Sequence, residues 1–150
     1  MNLYLIIFIV IIVYFFFFRS RENFQTNQKV ALKSLDGSFA SVCTDKHLCL
    51  TSEPNKKTFS ILKFADDLLA LESEGYYITA CFAEECDNPD GGHIKVDSFN
   101  PYAPNAKFKL VANGDSYYLQ LYNGQYLGVN ENNHFIRVTG RDKAVALQFV

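Results

Sequence analysis

The sequence predicts an all-β domain made of three copies of one four-strand unit, and two kinds of observation support this prediction. From residue 30 onwards, short apolar runs alternate with turn residues, and the runs are too short for typical helices. Four landmark residues also recur three times in the same order: a turn glycine, an aromatic residue, a histidine and a closing phenylalanine. Recurrence of this kind indicates an internal repeat.

The landmarks divide the domain into units at about residues 30–66, 67–113 and 114–150. The spacing from Phe59 to Gly75 equals the spacing from Phe108 to Gly124, which supports this division. The turn glycines are Gly37, Gly75 and Gly124, and the aromatics are Phe39, Tyr77 and Tyr126. The histidines are His47, His93 and His134, and the closing phenylalanines are Phe59, Phe108 and Phe149.

Three units of four strands suit a closed architecture with pseudo-threefold symmetry. An isolated unit would leave unpaired strand edges, and closure removes them. We therefore predict a β-trefoil, in which six strands form a barrel and three hairpins cap one end. The closing phenylalanines and the first-strand leucines are expected to point inward. These leucines are Leu32, then Leu69 or Leu71, then Leu119 or Leu121.

Two segments resemble the opening motif of fascin-like β-trefoil repeats, ALKS-x-x-G-x-Y/F-L. Val30–Ser34 followed by Asp36–Phe39 is similar to it, and so is Leu119–Leu121 followed by Asn123–Leu127. The resemblance covers about residues 30–150 and implies the trefoil fold. It also implies an actin- or cytoskeleton-binding module as one alternative function, and it implies no catalytic residues.

An uncharged apolar run extends from Leu3 to Phe18 ahead of the domain. A helix of this length spans roughly 24 Å, against about 30 Å for a hydrocarbon core, and flanking residues can make up the difference. We predict one N-terminal transmembrane helix at residues 1–19 and a polar tether at residues 20–29. The alternatives are a cleaved signal peptide, although no basic stretch precedes the run, and a buried core helix.

The orientation of the anchor is open on sequence grounds. Arg19 and Arg21 follow the apolar run, and the positive-inside rule then favours a domain that faces the cytosol. The cysteines point the other way, because disulfides belong to oxidising compartments. They are Cys43, Cys49, Cys81 and Cys86, and pairing 43–49 with 81–86 is one of three connectivities.

Enzyme and nucleic-acid functions find little support in the sequence. The formal net charge is −2, without the basic footprint that nucleic-acid binding requires. The chain has no G-x-S-x-G, P-loop or G-x-G-x-x-G motif. Cys43 or Cys81 with a histidine could form a nucleophile pair, but both follow their turn glycine at the same distance, so we expect them to pack or cross-link. The prediction is a non-enzymatic protein without a cofactor.

The three histidines are expected to be structural, and no metal site is predicted. Three imidazoles would suit zinc, but only if their rings point at the pseudo-threefold axis. The repeat alone explains why His47, His93 and His134 occupy equivalent positions.

The copies differ most in a loop of the second unit, from Phe82 to Gly92. Its acidic residues form a candidate partner-binding loop, with calcium as a weaker alternative; they are Glu84, Glu85, Asp87 and Asp90. Tryptophan, common in sugar-binding trefoils, is absent, but four tyrosines could stack on sugars: Tyr76, Tyr102, Tyr117 and Tyr122.

The predicted function is a membrane-anchored interaction module with a protein partner, in a layout that also suits a small viral envelope or membrane protein. The alternatives are a carbohydrate-binding trefoil, a fascin-like module and, if the apolar run is removed, a secreted ligand.

Overall fold

The computed structural model describes residues 25–83, 86 and 92–150, together with residues 2, 7 and 9. Short turns join thirteen β-strands in this part of the chain. The strands are β1 (Gln25–Val30), β2 (Leu32–Ser34), β3 (Phe39–Val42), β4 (Leu48–Thr51), β5 (Phe59–Lys63), β6 (Leu68–Ser73), β7 (Tyr76–Ala80), β8 (Ile94–Ser98), β9 (Phe108–Asn113), β10 (Ser116–Gln120), β11 (Tyr126–Val129), β12 (Phe135–Val138) and β13 (Leu147–Phe149). Single 3-10 turns lie at Thr44–Lys46, Glu53–Asn55, Pro104–Ala106 and Arg141–Lys143.

The fold is built on a closed β-barrel. Antiparallel pairing runs from β5 through β6, β9, β10 and β13 to β2, and β1 pairs back onto β5. β1 and β2 are one strand interrupted at Ala31, whose backbone exchanges hydrogen bonds of 2.8 and 3.0 Å with Val150. The first strand therefore contacts both neighbours and closes the barrel.

Three hairpins form the cap, as predicted: β3 with β4, β7 with β8, and β11 with β12. Each hairpin supplies the second and third strands of its unit, while the first and fourth strands enter the barrel. The predicted pseudo-threefold β-trefoil is confirmed.

The first strand begins at Gln25, inside the stretch 20–29 that we predicted to be a tether. The outer edge of β5 needs a partner to close the barrel, and β1 provides it through pairs such as Lys29 with Ser60. The polar residues of β1 gave no strand signal. The domain therefore extends at least five residues ahead of the predicted boundary.

The predicted anchor from Leu3 to Phe18 lies almost wholly outside the described residues. Within the described part of the chain, no helix has the length and apolar character needed to cross a membrane.

The core confirms the inward-facing residues in the first two units and corrects one in the third. Leu32, Leu71 and Leu119 are fully buried, and Leu69 and Leu121 are also buried, at 5% and 3% exposure, so both candidate leucines of the second and third units lie in the core. Phe59 and Phe108 are also fully buried. In the third unit Leu147 takes that place, and Phe149 is half-buried near the barrel end, 5.9 Å from the Tyr117 ring. Residues two apart share a strand face, so both side chains face inward but at different depths.

Replacing the buried residues should separate these roles. Phe108→Ala is expected to lower the free energy of unfolding by about 3–5 kcal/mol and Leu147→Ala by about 2–5 kcal/mol, because both leave enclosed cavities. Phe149→Ala should cost less than Phe108→Ala. Urea unfolding of the three variants measures this, and a Phe149→Ala cost equal to that of Phe108→Ala would contradict the assigned depth.

Two disulfides staple the first and second units. Cys43 pairs with Cys49 and Cys81 with Cys86, each with a Cα–Cα distance of 6.0 Å. The structure thus selects the local pairing among the three connectivities. Each closes a short loop, which stabilises the fold by about 2 kcal/mol through the lost freedom of the unfolded chain.

Candidate functional site

The third strands of the three units, β4, β8 and β12, meet at the pseudo-threefold axis. Backbone bridges join them in a closed cycle: His47 with Lys95, His93 with Ile136, and His134 with Cys49. Each histidine pairs with the residue two positions after the next unit's histidine. The three histidines are therefore held around the axis by main-chain contacts.

The histidine rings cluster as a result. The residue after each histidine is fully buried, namely Leu48, Ile94 and Phe135. Because strand side chains alternate, the histidines point the opposite way and are half-buried. The His47 ring lies 5.2 Å from that of His93, edge to face, and 4.9 Å from that of His134, stacked. We call His47, His93 and His134 the axial histidine cluster.

The electrostatics of the cluster disfavour charge on His47. Burial lowers the pKa of His47 most, and the positive charges of His134, Lys95 and His93 lower it further, against a smaller opposing effect of Asp45. His47 Nδ1 is buried and has no hydrogen-bond partner among the described residues. His47 is therefore neutral at pH 7.

Stability should follow the protonation of His47. The pKa of His47 in the folded state lies below its unfolded value of about 6.5. The stability that neutral His47 contributes to the fold is therefore fully present above pH 6.5 and is lost as the pH falls through the folded pKa. In buffer that contains a metal chelator, we expect the urea midpoint to decrease as the pH is lowered from about 7 to about 5. The His47→Gln substitution should remove part of that decrease. Carboxylates titrate in both proteins and lower both midpoints alike. Parallel curves of urea midpoint against pH for the two proteins would therefore contradict this account.

A second cluster of possible ligands adjoins the first. His93 Nε2 lies 3.8 Å from Cys86 Sγ, and ligand atoms of Cys81, Cys86 and His93 lie within 4.8 Å of one another. The Cys81–Cys86 disulfide occupies both sulfurs. Cys43, the other nucleophile candidate, is bridged as well, so neither Cys43 nor Cys81 offers a free thiolate.

The predicted partner-binding residues Glu84, Glu85, Asp87 and Asp90 lie outside the described residues. Their role as a protein contact stays a prediction. The described flanks of the loop are fixed, by the disulfide of Cys86 and by Gly92, whose carbonyl accepts a 2.8 Å hydrogen bond from the Arg137 N–H.

An open groove of about 490 Å³ lies in the third unit, beside the hairpin of β11 and β12. Its polar lining residues are Gln125, Asn130, Glu131, Asn132, Arg137, Thr139 and Lys143. The Asn130 side-chain oxygen accepts hydrogen bonds from the backbone of Asn132 and His134, at 2.9 and 3.0 Å. This fixes the turn that carries Glu131 and Asn132 at the groove.

Arg137 connects the groove to an aromatic ledge formed by Phe82 and Tyr122. Its Nη1 donates a 2.8 Å hydrogen bond to Gln125 Oε1, and its guanidinium carbon lies 4.5 Å from the Phe82 ring centroid. The Phe82 and Tyr122 rings are 4.9 Å apart. A Cβ at Gly92 would collide with the Arg137 guanidinium, so glycine there allows the close approach.

The four tyrosines proposed for sugar stacking differ in setting. Tyr122 and Tyr102 are each 61% exposed, and Tyr117 is 36% exposed. Tyr76 is half-buried beneath Lys46, whose Nζ is 4.5 Å from its ring centroid. Among the four, Tyr122 is joined to the groove through its ring contact with Phe82, which in turn contacts Arg137.

Sequence reasoning missed the groove residues Gln125 and Arg137 and the ledge residue Phe82. Their proximity arises where the second unit packs against the third, and no local motif encodes that contact. The backbone hydrogen bond between Arg137 and Gly92 follows from the cyclic register of the histidine strands. The repeated histidines are therefore the feature of the sequence that lies nearest to this contact.

Comparison with known proteins supports the fold. No protein-family profile matches the chain, and neither does any curated protein. The solved structure of ThreeFoil, a designed threefold-symmetric protein, is similar at a TM-score of 0.65 and 17% identity, covering 81% of this chain and 97% of that one. A Caenorhabditis elegans protein of unknown function is similar at a TM-score of 0.66 and 12% identity, covering 87% and 98%.

The Polyporus squamosus lectin, solved with a human-type influenza-binding epitope, matches at a TM-score of 0.67 and 12% identity. The match covers 84% of this chain and 49% of the lectin, so the chain spans about half of that protein. At these identities the likeness shows the fold alone. The chain is a β-trefoil, a scaffold that suits a binding module.

Proposed function

We propose that this protein is a non-enzymatic binding module that holds a glycan in the groove of the third unit. The observation behind the proposal is an open polar groove joined to an exposed aromatic ring. Sugars present hydroxyl groups that hydrogen-bond to amides, carboxylates and guanidinium groups, and C–H faces that pack on aromatic rings. Sites with a few convergent polar groups beside apolar surface are typical of small-ligand binding.

The charges of the groove favour an acidic glycan. Arg137 and Lys143 contribute two positive charges, and Glu131 contributes one negative charge. A planar guanidinium pairs well with a carboxylate or sulfate group. The Polyporus squamosus lectin, whose bound epitope contains the acidic sugar Neu5Ac, supports a glycan only through its shared fold.

A glycan array with the full chain in detergent tests the proposal. We expect binding to acidic glycans, and Tyr122→Ala should weaken it about twofold to tenfold, since aromatic contacts are worth roughly 0.5–1.5 kcal/mol. Tyr102→Ala is the matched control because its ring is equally exposed but packs against Phe64, 5.8 Å away. Gly92→Ala should also weaken binding by displacing Arg137.

Absence of any glycan signal, or equal loss in Tyr122→Ala and Tyr102→Ala, would overturn the proposal. Co-sedimentation with actin filaments, without glycan binding, would instead favour the fascin-like alternative, which rests on the motif residues alone.

We further propose that Leu3 to Phe18 anchors the module in a membrane, with the trefoil on the oxidising side. The two disulfides support that side, because structural disulfides persist in oxidising compartments. Arg19 and Arg21 favour the cytosolic side by the positive-inside rule. We give the disulfides more weight, since both bridges lie within the folded domain.

Alkaline carbonate extraction followed by thiol labelling in sealed vesicles tests the anchor and its orientation. The protein should stay in the pellet, and a thiol reagent added from the cytosolic side should leave it unlabelled. Reductant with permeabilisation should expose all four cysteines, which is the control for reagent access. Release from the pellet would contradict the anchor, and labelling of intact vesicles without reductant would restore the cytosol-facing orientation.

A further inference from the structure

We propose that the end of the barrel opposite the cap rests on the lipid headgroups of the membrane that holds the chain. The inference rests on the anchor proposed for Leu3 to Phe18 and is independent of glycan binding. We call this end the barrel mouth. It is formed by the turns at residues 64–67 and 114–115 and by the start of β1 at Gln25.

The path of the chain places the mouth close to the bilayer. Gln25 pairs with Leu62, the last residue but one of β5, so the chain enters the barrel beside the turn at residues 64–67. The apolar run ends at Phe18, and the chain from there to Gln25 reaches at most about 25 Å when fully extended. The mouth is therefore the part of the barrel that the anchor holds nearest to the membrane.

Aromatic rings lie around the mouth. The half-buried Phe64 ring lies 5.8 Å from the ring of Tyr102, edge to face, and 4.7 Å from Lys107 Nζ. On β10, three strands further around the barrel from β5, Tyr117 packs 5.9 Å from Phe149. Tyrosine rings and lysine stems favour a membrane surface, because their apolar parts contact acyl chains while their polar ends stay in water.

The charges at the mouth are mixed in sign, which suits a zwitterionic headgroup. Lys63 and Lys107 can pair with a phosphate group, and the acidic residues exposed in the two turns can pair with a choline ammonium group. These acidic residues are Asp66, Asp67 and Asp115. A mouth of purely basic character would instead favour anionic lipids. We therefore assign phosphatidylcholine-type headgroups as the partner.

This contact would turn the cap away from the bilayer. Ser116 begins β10 at the mouth, and Tyr122 follows the other end of that strand. Since a strand of this length spans roughly 16 Å, Tyr122 lies well above the headgroups. The groove and the axial histidine cluster would then face the aqueous phase.

Tryptophan fluorescence in vesicles tests the contact, because the chain contains no tryptophan of its own. Tyr102→Trp and Tyr122→Trp are matched reporters, since both tyrosines are 61% exposed. Each full-length variant is reconstituted in phosphatidylcholine vesicles that carry a nitroxide quencher on the headgroup. We expect quenching of Tyr102→Trp to exceed that of Tyr122→Trp at least about threefold, because only the first ring lies at the interface.

Tyr117→Trp provides a second reporter at the mouth, on a different unit, and should also be quenched more than Tyr122→Trp. Equal quenching of Tyr102→Trp and Tyr122→Trp in chains that float with the vesicles would overturn the contact and leave the anchor standing. A chain that does not float with the vesicles would overturn both. Unquenched reporters at the mouth, in chains that cross-link as dimers, would overturn the proposal in favour of a second copy.

Discussion

The cyclic meeting of three hairpin strands at the pseudo-threefold axis is the constraint on which the rest of the structure depends. Each strand places one fully buried residue inward, Leu48, Ile94 or Phe135. Burying these large side chains contributes roughly 1.5–3 kcal/mol each, and the backbone bridges then fix the register. The histidines follow by alternation, so their convergence is a by-product of packing the cap.

The groove arises from a departure from that symmetry. In the third unit, Arg137 lies three residues after His134 and extends to the second unit. There its backbone N–H bonds to the Gly92 carbonyl and its guanidinium group packs on the Phe82 ring. Gly92 leaves room for the guanidinium because it lacks a Cβ. The symmetric framework thus supplies the axial cluster, and differences between the copies supply the groove and its ledge.

Much of the fold could be predicted from sequence, because period-two alternation and turn chemistry are local signals. The hairpins, Phe59, Phe108 and the buried leucines follow from them. β1 escaped prediction since its polar residues carry no apolar pattern and its pairing is decided by barrel closure. Phe149 was assigned the place that Leu147 takes, because the two residues share a strand face and alternation alone does not distinguish between them.

The candidate sites were less accessible from sequence. The repeat placed His47, His93 and His134 at equivalent positions, but whether the rings meet depends on the tertiary register of three distant strands. The pairing of Cys43 with Cys49 was one connectivity of three. Contacts such as that of Arg137 with Phe82 join units far apart in sequence, so no local pattern encodes them.

Nuclear Overhauser spectroscopy of the imidazole protons tests the axial convergence most directly. With three histidines in the chain, their ring signals can be assigned by single substitutions. The structure predicts cross-peaks from the His47 ring to the rings of both His93 and His134. Three isolated ring systems in the folded protein, without cross-peaks among them, would contradict the cyclic arrangement.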